Sequence, residues 1–152
     1  MVSTHIVPAA FMVLPSDMRS TAARRLLLAI GWQESRFTHR VQVGGPARGY
    51  WQFEQAGGVR GVLGHQKSRD VAREALRALG YRHEPTPFGC YAAIEHNDVL
   101  ACVFARLLLW TLPDRLAEDE ANGWRQYIAA WRPGKPHAHT WPTAWSEADA
   151  RA

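Results

Sequence analysis

The sequence predicts a mostly α-helical domain with one small β-hairpin, on three observations. Apolar residues recur at three- and four-residue spacing through most of the 152-residue chain. Glycine and proline punctuate that pattern at intervals of about a helix length. One short aromatic stretch, Tyr50-Trp51-Gln52-Phe53, comes after a glycine-rich turn in the manner of a hairpin strand. A chain of this length forms a single domain, residues 1–152, and buries roughly 68–70% of its unfolded surface, so it needs no staples. Cys90 and Cys102, the only cysteines, lack a CxxC or a metal-ligand spacing and read as buried free thiols. No metal site and no cofactor are expected.

Residues 1–15 form an apolar lead-in broken by Pro8 and Pro15. Ser16 or Ser20 then caps the first long helix, which runs to about Phe37. Residues 39–54 are loop plus the hairpin. Residues 55–61 are loop again, with Gly57, Gly58 and Gly61 giving positive φ or close approach of backbone to a ligand; the second is preferred. His65 reads as a hydrogen-bonding structural residue. Ser68 caps a helix carrying Val71, Ala72, Ala75, Leu76 and Leu79 on one face, with Gly80 just past its end. Residues 81–89 are a loop at the rim of a cleft. The most apolar stretch, Cys90 to Leu112, divides near Glu95-His96-Asn97-Asp98, where Asn97 caps a central helix that Pro113 stops. Trp124, Tyr127, Ile128 and Trp131 share one face of the next helix. The Pro/Trp-rich tail, residues 133–152, ends in a short helix packed on the domain.

The chemistry centres on Glu34. Ile30, Leu27, Leu26 and Ala23 stand four, seven, eight and eleven residues before it, which places the acid on the apolar stripe of its own helix. Lost hydration and the negative end of the helix dipole both favour its protonated form. A carboxylic acid that keeps its proton near neutral pH suits cleavage of a glycosidic bond, whose leaving oxygen must be protonated as the bond breaks. The competing reading is a surface acid capping the helix or paired with Arg36 or Arg40.

Glu34-Ser35-Arg36-Phe37, then Ala47-Arg48-Gly49 and Gln52 eighteen residues after the acid, is similar to the E-S-x-F … G-A-x-G-L-M-Q signature of the soluble lytic transglycosylases and goose-type lysozymes. Pro46 replaces the first glycine of that pattern and Tyr50-Trp51 replace Leu-Met; the string GPARGYWQFE is closer to a phage-encoded branch. Asn97, Ala101 and Phe104 resemble a downstream N-x-x-x-G-x-x-Y element, and Ala129-Ala130-Trp131-Arg132-Pro133-Gly134 the closing A-Y-N-A-G element. In that last match an indole replaces a tyrosine whose hydroxyl contacts the catalytic carboxyl in the family. Tyr127, one turn earlier, is the candidate to supply the hydroxyl.

The resemblance implies a lysozyme-like fold, α+β with the hairpin beside the cleft, and cleavage of the MurNAc-β-1,4-GlcNAc bond of peptidoglycan with Glu34 as general acid. Gln52, Trp51, Tyr50, Arg48, Gly49, Asn97, Tyr127 and Trp131 are the candidate substrate-binding residues. Two mechanisms stay open. A lytic transglycosylase, preferred on motif order, needs one carboxyl, because the sugar's own 6-hydroxyl attacks. A muramidase needs a second carboxylate, for which Glu54 is the nearest candidate and Glu95 or Asp98 are poorer ones. Val43 occupies a position, nine after Glu34, where many transglycosylases carry a serine. The alternative from another class is a catalytically inactive phage structural protein that binds peptidoglycan.

Net charge +4 favours anionic partners. The basic residues are scattered among acids and no nucleic-acid motif is present, so wall polymer rather than nucleic acid is the expected partner. The longest N-terminal apolar run, Ile6 to Leu14, is too short to span a bilayer and lacks a charged segment before it. Synthesis in the cytoplasm without a signal peptide is therefore expected, with action at the bacterial cell wall reached through a holin-type pore or as part of a virion.

Overall fold

The computed structural model describes all residues, 1–152. Its eight α-helices are α1 (Val7–Val13), α2 (Thr21–Ser35), α3 (Arg60–Gly64), α4 (Arg69–Ala78), α5 (Pro87–His96), α6 (Asp98–Trp110), α7 (Glu120–Trp131) and α8 (Trp141–Asp149). The helix that organises the core is α6. Every residue from Leu100 to Leu109 is buried, and α1, α2, α3, α4, α5 and α7 all pack against it. A helix apolar all round its circumference has to be surrounded in this way, because no face of it gains from water. Asn97 caps it as the sequence suggests, its Oδ1 accepting from the Leu100 N–H at 3.0 Å.

Arg106 is the exception on α6. Its side chain is buried, Nε donates to the Met18 carbonyl at 2.8 Å, Nη1 has no partner, and burial draws its pKa down to about 10.

Several sequence expectations are corrected. The lead-in is helical: Val2–Ile6 forms a π-type turn that continues into α1. Val2, Ile6, Ala10 and Leu14 are buried at helical spacing, and Pro8, which has no N–H to give, falls where the π-type turn, closed by Val7 N–H to the Val2 carbonyl, passes into α1. The long helix begins at Thr21, with Ser20 Oγ accepting from Ala23 N–H at 3.0 Å, and ends at Ser35, where Arg36 turns left-handed with φ 51°. Residues 55–61 are also helical, a π-type turn over Gln55–Val59 leading into α3, because Val59 and Val62 are drawn into the core. Pro87 starts α5 inside the segment expected as loop. Ser68 precedes α4 but does not cap it; its hydroxyl donates instead to the Val62 carbonyl at 2.7 Å.

No hairpin forms. Two isolated antiparallel bridges, Val41 with Arg48 and Arg48 with Phe53, are all that pairs. Tyr50, Trp51 and Phe53 are all buried, so the in-and-out alternation of a strand cannot serve them. The chain turns instead: Gly49 has φ +74°, Gln52 has φ 50°, and Gln52 N–H donates to the Gly49 carbonyl at 3.0 Å.

The tail covers α2. The helix α8 lies along α2, Arg25 pairs with Asp149 at 2.6 Å, and Gly123 of α7 leaves room for the Trp145 ring. Both cysteines are free and buried, and apolar surroundings push the Cys90 thiol up to about 11. No helix is long and apolar enough to cross a membrane.

Candidate active site

Three segments converge on one carboxyl. The stripe Ala23, Leu26, Leu27 and Ile30 is fully buried, which fixes α2 in rotation and turns Glu34, on its last turn, toward a groove of about 1290 Å³. Glu34 has no ion pair. Arg40 is held elsewhere by Asp98, two N–H···O bonds of 2.8 Å each, and Arg36 lies over the Trp32 ring at 4.9 Å. The surface-acid reading therefore fails on geometry.

Tyr127, on α7, donates its hydroxyl to Glu34 Oε1 at 2.6 Å. Two opposed effects act on the acid. Burial raises its pKa and is the larger; the Tyr127 hydrogen bond, which favours the anion, lowers it; the like charge of Glu54 raises it again. The outcome is about 7, from an ordinary value of 4.5. Tyr127 itself is pushed upward by burial, by the Glu34 charge and by the hydrogen bond to it, so it remains a donor. With Oε1 taken by the tyrosine, Oε2 is left to carry the proton.

The tyrosine is in turn held from behind. Its ring stacks on Trp141 with centroids 5.4 Å apart and planes 4° from parallel, and Trp141 Nε1 donates to the Glu120 carbonyl at 2.9 Å. The residue beside the acid is tied to the same tail: Gln33 Nε2 donates to the His137 carbonyl at 2.9 Å, and Thr140 Oγ1 bonds Gln33 Oε1 at 3.0 Å.

The groove gathers some of the residues singled out from sequence and not others. Glu34, Gln52, Glu54, Tyr127 and Trp131 line it. Gln52 donates its side-chain amide to the Gly49 carbonyl at 2.9 Å, and Trp131 donates Nε1 to the Trp51 carbonyl at 2.8 Å. Glu54 is exposed on the groove, whereas Glu95 is engaged by Arg48 at 3.1 Å and Asp98 by Arg40.

Five expected binding residues lie elsewhere, each for a physical reason. Trp51 is fully buried and donates to the Leu27 carbonyl at 2.8 Å, a bond that an indole in the core requires and that welds the turn to α2. Tyr50 is buried beneath the Arg40 guanidinium, 4.3 Å from its ring. Arg48 is spent on Glu95 and on the Gly45 and Ala47 carbonyls. Gly49 faces α5, where a Cβ would meet Ile94 Cγ2 at 2.8 Å. Asn97 caps α6 and donates to the Tyr81 hydroxyl at 3.1 Å.

Gly57, Gly58 and Gly61 line the groove without positive φ, and the close approach at Gly58 is to Phe53, not to a ligand. Val43 is 85% exposed at the groove edge. Sequence reasoning missed the groove's cations, Arg60, Arg132 and Lys135, and two of its three histidines, His39 and His137; the third, His65, accepts the Lys67 backbone N–H on its Nδ1 at 3.1 Å, in keeping with a hydrogen-bonding structural residue. The signal available was the basic run after Trp131 around Pro133 and Gly134. No three His, Cys, Asp or Glu side chains are grouped as a metal site would group them. No family model, curated protein or solved structure matches the chain.

Proposed function

We propose that the protein is a peptidoglycan glycosidase with a lysozyme-like fold, cutting the MurNAc-β-1,4-GlcNAc bond with Glu34 as general acid. The observation that carries the reading is the Glu34 carboxyl, held by the Tyr127 hydroxyl at 2.6 Å and free of any cation, on the wall of an open groove large enough for several sugar rings, where burial lifts its pKa to about 7. At pH 6 such an acid is roughly nine-tenths protonated, so it is ready to give a proton and, once ionised, able to take one back. The motif order of Glu34, Gln52 and the Tyr127–Trp131 segment supports the same conclusion, since all of them meet at the groove.

In the transglycosylase version, Oε2 protonates the glycosidic oxygen as its bond to C1 breaks. Glu34, now a carboxylate, then takes the proton of the 6-hydroxyl of the same muramic acid residue, whose oxygen closes on C1. Tyr127 serves both steps by donating to Oε1, a bond that strengthens as charge appears on the carboxylate. Trp131 offers an aromatic face and Gln52 an amide to the sugar. A second version has its own support: Glu54 lies on the groove close enough for its charge to act on Glu34, as a second carboxylate in a hydrolase must. The motif order keeps the transglycosylase first.

The test is clearance of purified wall sacculi, with Glu34→Gln as control, followed by mass spectrometry of the released fragments. Lysis that is lost in Glu34→Gln is expected, with 1,6-anhydro ends one water lighter than reducing ends. If the parent protein clears nothing, the fold serves binding alone, as in a phage structural protein.

A further inference from the structure

Arg60, Arg132 and Lys135 come from two separate stretches of chain and line one groove, and none of them makes an ion pair or a side-chain hydrogen bond. Arg40, Arg48 and Arg73 are held by Asp98, Glu95 and Glu84. Arg69, Arg77 and Arg82 are also without an acid partner, but they lie exposed outside the groove, so what sets the three apart is their gathering on one groove. Like charges facing one cleft repel, and low-dielectric walls focus their field into it. Two acids share the groove, Glu34 and Glu54, and below pH 7 Glu34 is mostly uncharged, so the groove stays net positive. A neutral glycan needs only amides and ring faces and gives three idle cations nothing to bind.

We infer that the groove is built for an anionic glycan, whose carboxylate or phosphate substituents dock on Arg60, Arg132 and Lys135. The inference rests on the glycosidase reading and names the charge class of its substrate. Carboxylates of stem peptides and phosphates of wall-attached polymers offer the same chemistry, planar or tetrahedral anions matched by guanidinium forks and an ammonium.

The test measures retention of the Glu34→Gln protein, which binds without cutting, on four matrices: intact sacculi, sacculi stripped of stem peptides, sacculi stripped of phosphate polymers, and chitin beads. Intact sacculi are expected to hold it at least about tenfold better than chitin, with binding weakened by salt. The stripped matrix that loses binding names the source of the anion. Adding Arg60→Gln, Arg132→Gln and Lys135→Gln is expected to cost about tenfold in retention. The same change at exposed Arg69, Arg77 and Arg82 should leave retention nearly unaltered, and thermal melts establish that each variant folds. Equal retention on chitin, undiminished binding on both stripped matrices, or equal losses from the two triple variants would overturn the inference. If the parent fails to lyse sacculi while retention still depends on the three groove cations, the enzymatic reading falls and this one stands. Lysis with retention indifferent to those cations gives the reverse.

Discussion

Tyr127 and Glu34 are 93 positions apart in the chain and 2.6 Å apart in the fold, phenol to carboxylate. The hydrogen bond favours the anion, so it works against the burial that raises the acid's pKa, and burial wins. Tyr127→Phe removes the opposing effect alone. A hydrogen bond to a charged group contributes about 1.5–3 kcal/mol, so the Glu34 pKa is expected to climb by about one or more from its value near 7. The alkaline limb of the pH–rate profile should move upward with it. An unmoved or lowered limb would mean that the tyrosine does not set the acid's charge.

Glu34 also ties stability to pH. Its folded pKa, about 7, lies above the ordinary 4.5, so the folded state holds a proton that the unfolded chain gives up between those values. The stabilisation is complete below pH 4.5 and is lost as pH rises through 7, leaving the parent lower by up to about 3 kcal/mol on the alkaline side. Glu34→Gln carries no such penalty. Urea unfolding at pH 4 and pH 8 should show the variant gaining on the parent as pH rises; a gap independent of pH would contradict the buried-acid assignment.

The stripe Ala23, Leu26, Leu27, Ile30 and Glu34 is legible in the sequence because helical spacing runs through it unbroken, and a stripe fixes where the next residue points. Tyr127 is legible because it lies one helical turn before Trp131. The turn that replaces the expected hairpin is not, because Tyr50, Trp51 and Phe53 look alike in sequence whether they alternate or all turn inward; packing against Leu27, Phe37 and Phe104 decides it. Trp51 reads as a cleft residue for the same reason, since an aromatic beside a glycine carries no mark of inside or outside. Groove cations are invisible on related grounds. Arg40 and Arg48 are spent while Arg60 and Arg132 are free, and only the position of Asp98 and Glu95 in space separates the two pairs.

Trp141 acts on the acid through Tyr127. Its ring backs the tyrosine in a 4° stack at 5.4 Å, and its own N–H is fixed by Glu120. Trp141→Leu leaves the tyrosine ring without its support, so the hydroxyl loses alignment with Oε1 and Glu34 should titrate higher, as in Tyr127→Phe. Stability should fall by about 2–4 kcal/mol, since a buried aromatic is lost. Trp141→Phe keeps a ring in place and is expected to restore most of the titration while recovering only part of the stability. NMR titration of Glu34 checks this; a purely structural tryptophan would lower stability in both variants and leave the pKa where it was.

Gly31 sits inside α2, one turn before Ser35, and tests whether the helix or its surroundings governs that position. In an exposed helix, Gly→Ala stabilises by about 1 kcal/mol. Here a Cβ would stand 2.6 Å from Phe37 Cζ and 3.1 Å from Trp51 Nε1, the nitrogen that donates to Leu27. Phe37 in turn packs edge-on against Tyr50 and Trp51, at 5.7 and 5.9 Å. Overpacking of this kind costs about 1–3 kcal/mol, enough to cancel or reverse the helix gain. The net cost is then up to about 2 kcal/mol, and Gly31→Ala is expected to leave Tm unraised or lower it by up to about 8 °C for a chain of this size. Combining it with Phe37→Ala should cost less than the two single changes together, because the second substitution opens the space the first one needs. A rise in Tm for Gly31→Ala alone would show that the Phe37 ring yields freely, and with it that the turn carrying Tyr50 and Trp51 is not clamped onto the helix that presents Glu34.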